Sequence, residues 1–176
     1  AIVDNKSLKI VKYECLARLL DKNDKILSPM LFIPVAKKIK AYTIVTKIII
    51  EKSFAAFENL DLEFNINLSI EDIMNSEIFK FIIDKLKYSK ASHRVTFEIL
   101  ESEAIQDFKK VERFVNEVKR YGAKIAIDDF GIQNSNFSRL LELDFDYIKL
   151  DAIFMKGLVE NEKDKIILKA VVKLAK

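Results

Sequence analysis

The sequence predicts an α/β fold and, within that class, a (β/α)8 barrel of the TIM type that is truncated at both ends in this chain. Short apolar segments of period two alternate with amphipathic segments of helical period, which is typical of parallel strands joined by helices. Polar residues stand at or near the carboxyl end of nearly every predicted strand, where such barrels collect their active sites. A doubly wound sheet, the alternative, usually has a glycine-rich phosphate loop after its first strand, whereas the glycines here are scattered over positions 122, 131 and 157.

Length and composition indicate a single domain over residues 1–176, with 50% hydrophobic and 32% charged residues. The net charge of +3 is spread along the chain, so DNA or RNA binding is not indicated. The single cysteine, Cys15, excludes an internal disulfide, and no apolar run is long enough to span a bilayer. We therefore expect a cytoplasmic domain, even where its parent protein is attached to a membrane through other regions.

The ends of the chain indicate a piece of a longer protein, because it starts at Ala1 and stops at Lys176 within a helical pattern. A TIM-type barrel has about 250 residues. The first strand and the last strands of the barrel are expected to be missing.

Five predicted strands are short and mostly apolar: Leu8–Leu20, Leu62–Leu68, a segment from Val95, Lys124–Ile127 and Tyr147–Leu150. In the first strand the period of two places Glu14 and Arg18 on one face. In the second, Asn65 and Asn67 lie opposite the apolar residues.

The predicted helices run from Pro29 to Phe57 with a break near Lys40, from Ser69 to Leu86, from Ile105 to Tyr121, from about Asn136 to Leu143 and from about Lys163 onward. Ser28 is predicted to cap the first helix, with proline at the first helical position. Ser69 followed by Asp72 is typical of a second capped start. Gly122 is expected to end the third helix in a left-handed conformation.

Two neighbouring strands end in carboxylates, one at Glu98 and the next at Asp128 and Asp129. Two carboxylates about 4 Å apart repel by about 4 kcal/mol at an effective dielectric near 20. We therefore expect a positive group between them.

The polar groups at the strand ends suit a hard metal ion: Glu14, Asn67, Glu98, Asp128 with Asp129, and Lys149 with Asp151. Oxygen donors favour Mg²⁺ or Mn²⁺ over zinc. Two divalent ions would balance the charge of four carboxylates, those of Glu14, Glu98, Asp128 and Asp129. Two such ions beside a lysine and an arginine are suited to phosphate esters, so we expect phosphodiester hydrolysis.

Several motifs in this order resemble those of the EAL domain family of cyclic di-GMP phosphodiesterases. They cover Tyr13–Arg18 (YECLAR), Phe32–Ala36 (FIPVA), Asn65–Ser69 (NINLS), Phe97–Ser102 (FEILES), Ile127–Gly131 (IDDFG) and Asp146–Asp151 (DYIKLD). The resemblance extends over Ile10–Phe154 and identifies the chain as a partial EAL domain.

The resemblance implies a (β/α) barrel that opens cyclic di-GMP to linear pGpG with two Mg²⁺ or Mn²⁺ ions. It assigns the first ion to Glu14, Asn67, Glu98 and Asp128, with Asp128 and Asp129 contacting the second. It also implies catalytic roles for Glu14, Lys149 and Glu101: Lys149 would orient the attacking water or a phosphate oxygen, and Glu101 would brace the loop after Gly131. Arg18 and Asp151 would bind the substrate. It also implies sensory or GGDEF domains beside this one and an EAL homodimer.

The chain departs from the family pattern at several positions. Cys15 replaces the central alanine of the motif that names the family, and Leu19 stands where tryptophan is usual. The loop after Gly131 reads Ile132–Asn136 instead of Thr-Gly-Tyr-Ser-Ser, and Gln133 removes a glycine that reaches positive φ easily. Since this loop supports the second metal ion in the family, a receptor or protein-interaction module without turnover is the alternative function.

Taken singly, the same residues have simpler interpretations. Glu14 and Arg18 could form a surface salt bridge, and Asp128 and Asp129 could cap a helix. A barrel that uses its carboxylates to stabilise an enolate is a further alternative, but it would not explain Arg18 or the order of the motifs.

Overall fold

The computed structural model describes residues 1–131, 140, 142–152 and 169. Its strands are β1 Ile2–Val3, β2 Ile10–Cys15, β3 Leu19–Leu20, β4 Ile26–Leu27, β5 Glu63–Leu68, β6 Val95–Leu100, β7 Lys124–Phe130 and β8 Tyr147–Leu150. Its helices are α1 Pro29–Lys38, α2 Tyr42–Phe57, α3 Ile70–Met74, α4 Ser76–Tyr88, α5 Glu101–Gln106 and α6 Phe108–Lys119, with a 3-10 turn at Ser92–Arg94.

Within the described residues, six strands form one sheet in the order β1-β2-β5-β6-β7-β8, and β3 and β4 form a separate hairpin. From β2 to β8 all neighbours are parallel, and each strand is added on the same side of the previous one. A doubly wound sheet would reverse its direction of growth at a switch point. The order confirms the predicted fold class, a partial (β/α) barrel with β1 and β8 at its edges.

The apolar core lies between the outer face of the sheet and the helices. Phe64 of β5 and Phe97 of β6 are fully buried in it, as the period of two in these strands predicts. Phe64 stacks on Phe57 of α2 with ring centroids 4.6 Å apart and meets Phe54 edge-on at 5.3 Å. This packing fixes α2 against β5 and leaves the other face of the sheet to polar side chains.

The inner face carries a polar layer near the amino ends of the strands, which we call the lysine floor: Lys12, Glu63, Thr96, Lys124 and Tyr147. Lys12 Nζ lies 3.0 Å from Glu63 Oε2 and 3.3 Å from Thr96 Oγ1. Lys124 Nζ lies 2.6 Å from Glu63 Oε1. The Tyr147 ring centroid lies 3.7 Å from Lys12 Nζ, within cation–π range. The floor closes the lower part of the interior with two lysines and one carboxylate.

The first predicted strand was too long. The structure ends β2 at Cys15, and Leu19–Leu20 belongs to the β3–β4 hairpin. Arg18 therefore lies beyond the strand, and the period of two no longer relates it to Glu14. A strand ahead of β2 was not expected, but Ile2–Val3 pairs with β2 in antiparallel orientation.

Helix boundaries also differ from the predictions. The break near Lys40 is confirmed, because Lys40 has φ 60° between α1 and α2. Ser28 occupies the N-cap position of α1 without a side-chain capping bond. The second predicted helix is divided at Asn75, which caps α4 by accepting from the backbone of Glu77 and Ile78. The third is divided at Asp107, between α5 and α6.

The capped start at Ser69 is confirmed. Asp72 N–H donates to Ser69 Oγ, and the Asp72 carboxylate accepts from the Ser69 backbone, so the two residues form a capping box. Tyr42 and Thr46 of α2 also donate to this carboxylate, at 2.9 Å and 2.7 Å. The buried cap therefore ties the end of β5 to α2.

Gly122 has φ 82°, as the predicted left-handed end of the third helix requires. A Cβ at this position would lie 3.2 Å from His93 Cβ. We expect Gly122→Ala to lower the free energy of unfolding by about 1–2 kcal/mol, because a side chain in the left-handed region costs about that much. Urea unfolding measures the loss.

Gly122→Asn provides the matched control, since asparagine also adds a Cβ but enters the left-handed region more readily. The asparagine variant should lose less stability than the alanine variant. Equal losses would attribute the effect to the contact with His93 and contradict the backbone explanation.

Three predicted segments lie outside the described residues. They are the loop 132–136, most of the helix predicted from Asn136 to Leu143, and the helix predicted from Lys163. Among the residues that the structure describes, no helix is both long and apolar enough to cross a membrane.

Candidate active site

Side chains from five strands converge where the parallel strands end. They are Glu14 of β2, Asn67 of β5, Glu98 of β6, Asp128 of β7 and Lys149 of β8. Lys149 Nζ lies 2.9 Å from Glu98 Oε2, 2.9 Å from Asp128 Oδ2 and 4.0 Å from Glu14 Oε1. The convergence follows from the register, because Asn67 pairs with Glu98 and Leu100 with Asp128. We call these five residues the carboxylate cluster.

The Lys149 ammonium is the positive group expected between the carboxylates of β6 and β7. Burial alone would lower the pKa of Lys149, but its hydrogen bonds to Glu98 and Asp128 outweigh burial and raise it. The lysine therefore stays charged at neutral pH. Three carboxylates and one ammonium leave the carboxylate cluster with a net charge of about −2 when all are ionised.

Glu98 is the most deeply buried acid of the carboxylate cluster, with 0% of its side chain exposed. Burial raises its pKa, and the bonds from Lys149 and Asn65 act against that rise. Asn65 Nδ2 donates to Glu98 Oε1 at 2.7 Å. The alternation in the sequence predicts only that Asn65 lies on the polar face of its strand. Its position two residues before Asn67 is the signal that it also faces the interior.

Asn67 contacts the first carboxylate of the carboxylate cluster. Its Nδ2 donates to Glu14 Oε1 at 2.8 Å. The amide thus links β5 to β2 across the top of the sheet, and its carbonyl oxygen is the atom that could serve as a metal ligand.

Asp129 adopts φ 54°, in the left-handed region that is uncommon for residues other than glycine. Its backbone N–H donates to Asp128 Oδ1 at 2.9 Å. Burial raises the pKa of Asp129, and the charges of Asp128 and Asp151 raise it further, with Lys149 acting against them. Asp129 and Asp151 thus belong to the same acidic surface as the carboxylate cluster.

Glu101, at the start of α5, is buried, and its Oε2 accepts from Gly131 N–H at 2.7 Å. The bond joins the helix after β6 to the residue that ends the Asp128–Gly131 segment. Burial raises the pKa of Glu101, and the Gly131 bond acts against that rise. A residue that holds the Asp128–Gly131 segment in place would make a contact of this kind.

We expect Glu101→Gln to raise the free energy of unfolding slightly at pH 7. Because the folded pKa of Glu101 lies above its unfolded value, its favourable contribution is complete below the unfolded pKa of about 4.3 and is lost as the pH rises through the folded pKa. The amide oxygen of glutamine still accepts from Gly131. The advantage of the variant should therefore be present at pH 7 and absent below about pH 4.

Thermal unfolding from pH 3.5 to pH 8 tests this expectation, with Glu103→Gln as the comparison. Glu103 also has a pKa raised by burial, and it accepts from Ile70 N–H at 3.0 Å, away from Gly131. A Glu101→Gln variant that is less stable than the parent at pH 7 would show that the charge itself strengthens the bond to Gly131.

Arg18 lies outside the carboxylate cluster. It is exposed, and its guanidinium donates to the Ala17 carbonyl at 2.7 Å. It borders an apolar groove formed by the β3–β4 hairpin and helices α1 and α2, with Leu19 and Val35 in its wall. In the described contacts, Glu14 and Arg18 do not form the salt bridge that was the simpler interpretation of this pair. Glu14 accepts from Asn67 instead, and Arg18 donates to the Ala17 carbonyl.

The donors of the carboxylate cluster fit a divalent cation by their chemistry. They are carboxylate and amide oxygens, the ligands that Mg²⁺ and Mn²⁺ prefer. In the described ranges, no three acidic, histidine or cysteine side chains form a ready metal-binding group, and the ammonium of Lys149 lies among the carboxylates. A bound ion would therefore take over contacts that Lys149 now makes.

The fold and the site together define a (β/α) barrel with an acidic, cation-holding centre at the carboxyl ends of its strands. Within that class the chain belongs to the EAL domain family, whose model matches residues 1–176.

Among curated proteins, the chain is similar to the cyclic di-GMP phosphodiesterase PdeF of Escherichia coli (strain K12). The two are 30% identical over 173 residues, which cover 94% of this chain and 23% of that protein. The chain thus spans about a quarter of the length of this relative.

Two solved structures have the same fold. An EAL domain protein from Listeria monocytogenes EGD-e matches with a TM-score of 0.88 and 27% identity, over 98% of this chain and 70% of that one. The EAL domain of FimX from Pseudomonas aeruginosa, bound to c-di-GMP, matches with a TM-score of 0.82 and 21% identity, over 91% of this chain and 66% of that one. At that lower identity the second match supports the fold alone.

Proposed function

We propose that this chain is part of a domain that hydrolyses cyclic di-GMP to linear pGpG with the help of two Mg²⁺ or Mn²⁺ ions. The observation that carries the proposal is the convergence of the Glu14, Glu98 and Asp128 carboxylates around one ammonium at the carboxyl ends of parallel strands. Membership of the EAL family and the phosphodiesterase name of the E. coli relative support the same substrate.

Charge favours metal ions at this site. The carboxylate cluster has a net charge of about −2 when ionised, and Asp129 and Asp151 add two more carboxylates beside it. A single lysine does not neutralise them, whereas divalent cations would. We assign the first ion to Glu14, Asn67, Glu98 and Asp128, and the second to Asp128 and Asp129.

Bound ions of this kind would activate the attacking water and stabilise the leaving oxygen of the phosphodiester. Lys149, once released from Glu98 and Asp128, would orient that water or a phosphate oxygen with its ammonium. Glu101 would hold the Asp128–Gly131 segment in place through Gly131 N–H. Arg18 and Asp151 would contact the substrate, which in the case of Arg18 requires its exposed guanidinium to leave the Ala17 carbonyl.

A receptor that binds the nucleotide without turnover is the second candidate. It is favoured by the sequence of the loop 132–136, where Gln133 and its neighbours replace residues that the family uses to support the second ion. The FimX EAL domain, which has the same fold, was solved with c-di-GMP bound. A receptor of this kind would keep the first ion site and lose the second.

The phosphodiesterase relative extends well beyond the region that this chain matches. We therefore propose that sensory or GGDEF domains flank this domain in its natural protein. A homodimer of two EAL domains is a separate proposal, which rests on membership of the EAL family. Gel filtration of the natural-length protein tests the association.

The test of the function is incubation of the natural-length protein with cyclic di-GMP and Mg²⁺ or Mn²⁺, with pGpG followed by chromatography. Glu14→Ala should abolish the product. Glu51→Ala is the control, because Glu51 is an exposed acid that, within the described residues, forms an ion pair with Lys85, away from the carboxylate cluster. Nucleotide binding without product would favour the receptor, and the absence of both would contradict both candidates.

A further inference from the structure

Asn65 is a buried amide on the inner face of β5, one pleat below Asn67. Only 3% of the residue is exposed. Its register partners are Glu14 on β2 and Thr96 on β6, so it lies between the lysine floor and the carboxylate cluster. Neither the sequence motifs nor the proposed chemistry assigns it a role.

The amide uses only part of its hydrogen-bonding capacity. Its Nδ2 donates to Glu98 Oε1 at 2.7 Å, while its Oδ1 is buried and has no hydrogen-bond partner among the described residues. A buried acceptor without a partner costs stability. The opposite orientation of the amide would bring Oδ1 against the Glu98 carboxylate. The bond to Glu98 therefore determines how Asn65 is oriented.

Glu98 divides its two oxygens between two partners. Oε1 accepts from Asn65, and Oε2 accepts from Lys149 at 2.9 Å, on the side of Asp128. Asn65 is buried within β5, so its side chain would stay in place if the Lys149 ammonium moved. Oε1 thus stays bound to the protein, and Oε2 is the oxygen left free to face a cation.

We propose that Asn65 is a positioning residue for the metal ligand Glu98, fixing Oε1 so that Oε2 is presented to the first ion. This inference rests on the proposed function, because it assumes a divalent ion at the carboxylate cluster. Carboxylate ligands of metal ions are commonly held in this way by a second hydrogen bond, and loss of such a bond typically weakens metal binding by about 10–100-fold.

A double-mutant cycle on Mn²⁺ binding tests the proposal. The dissociation constant for Mn²⁺ is measured by calorimetry for the parent chain, Asn65→Leu, Glu98→Gln and the double variant. Asn65→Leu should raise the constant by about 10–100-fold in the parent and by less than about twofold in the Glu98→Gln background, because the residue acts through the Glu98 carboxylate. Far-UV circular dichroism confirms that each variant is folded at the assay temperature.

Thr96→Val is the matched control. Thr96 is fully buried on the same inner face and is the register partner of Asn65, but its hydroxyl accepts from Lys12 of the lysine floor. It should leave Mn²⁺ binding within about twofold of the parent.

Two results would overturn the proposal while leaving the proposed function intact. The first is an Asn65→Leu variant that binds Mn²⁺ as tightly as the parent. The second is an equal weakening in both backgrounds, which is the result expected of a residue that only supports the fold. A parent chain that binds no Mn²⁺ would overturn the proposed function and this inference together.

Discussion

Asp128→Asn is expected to lower the rate of Mn²⁺-dependent cyclic di-GMP hydrolysis by about 1000-fold. Asp128 is the carboxylate that we assign to both ions, and it accepts from Lys149 at 2.9 Å. A metal acting as a Lewis acid contributes several kcal/mol to transition-state stabilisation, and each 1.4 kcal/mol corresponds to a factor of ten. The asparagine keeps the shape of the side chain and removes the charge that, in our proposal, would hold the ions.

The measurement is the rate of pGpG formation at saturating substrate, with the metal concentration varied. Asp144→Asn is the matched control, because Asp144 precedes β8 and pairs with Lys119 at the surface, with 69% of its side chain exposed. It should change the rate by less than about twofold, since surface ion pairs contribute little. An Asp128→Asn variant that retains a tenth or more of the activity would remove Asp128 from its bridging role.

Lys149→Met should destabilise the ion-free protein by about 3 kcal/mol, since removing one partner of a buried ion pair typically costs 3–5 kcal/mol and Lys149 is itself partly exposed. The variant leaves Glu98, whose side chain is 0% exposed, without its cation. Saturating Mn²⁺ should recover much of this loss, because a divalent ion can neutralise the same carboxylates. Hydrolysis should remain impaired even with Mn²⁺, since we also assign the ammonium a role in orienting the attacking water or a phosphate oxygen.

Denaturant unfolding with and without Mn²⁺ measures the two effects. Lys85→Met is the comparison, because Lys85 lies 2.7 Å from Glu51 in a pair whose carboxylate is 56% exposed. Its stability should fall by about 1 kcal/mol or less and should not respond to Mn²⁺ differently from the parent. Equal losses in the two variants would show that Lys149 does not compensate the buried charge of Glu98.

Much of the fold and the cation between the carboxylates could be predicted from the sequence, because each depends on a local pattern. Apolar residues of period two located β5, and short apolar runs that end in carboxylates located β6 and β7. The positive group was predictable from charge repulsion alone, and Lys149 occupies that position.

Other features depend on contacts between distant parts of the chain, and no local pattern reports them. Asn65 and Asn67 lie on the same face of β5, but Asn65 donates to Glu98 and Asn67 to Glu14, and this difference depends on the three-dimensional packing of β2, β5 and β6. The lysine floor joins β2, β5 and β7 in the same way. The end of β2 at Cys15 was missed because the apolar alternation continues past it into the β3–β4 hairpin.

The lysine floor and the carboxylate cluster give the two ends of the barrel interior opposite net charges. Two ammonium groups and one carboxylate lie at the bottom, while three carboxylates and one ammonium lie at the top, so the potential changes sign between them. A dication that enters the interior is repelled from below and attracted from above. Repulsion by the two lysines would therefore keep a dication from moving deeper into the interior, and attraction by the carboxylates would hold it near the carboxyl ends of the strands even before it contacted a ligand.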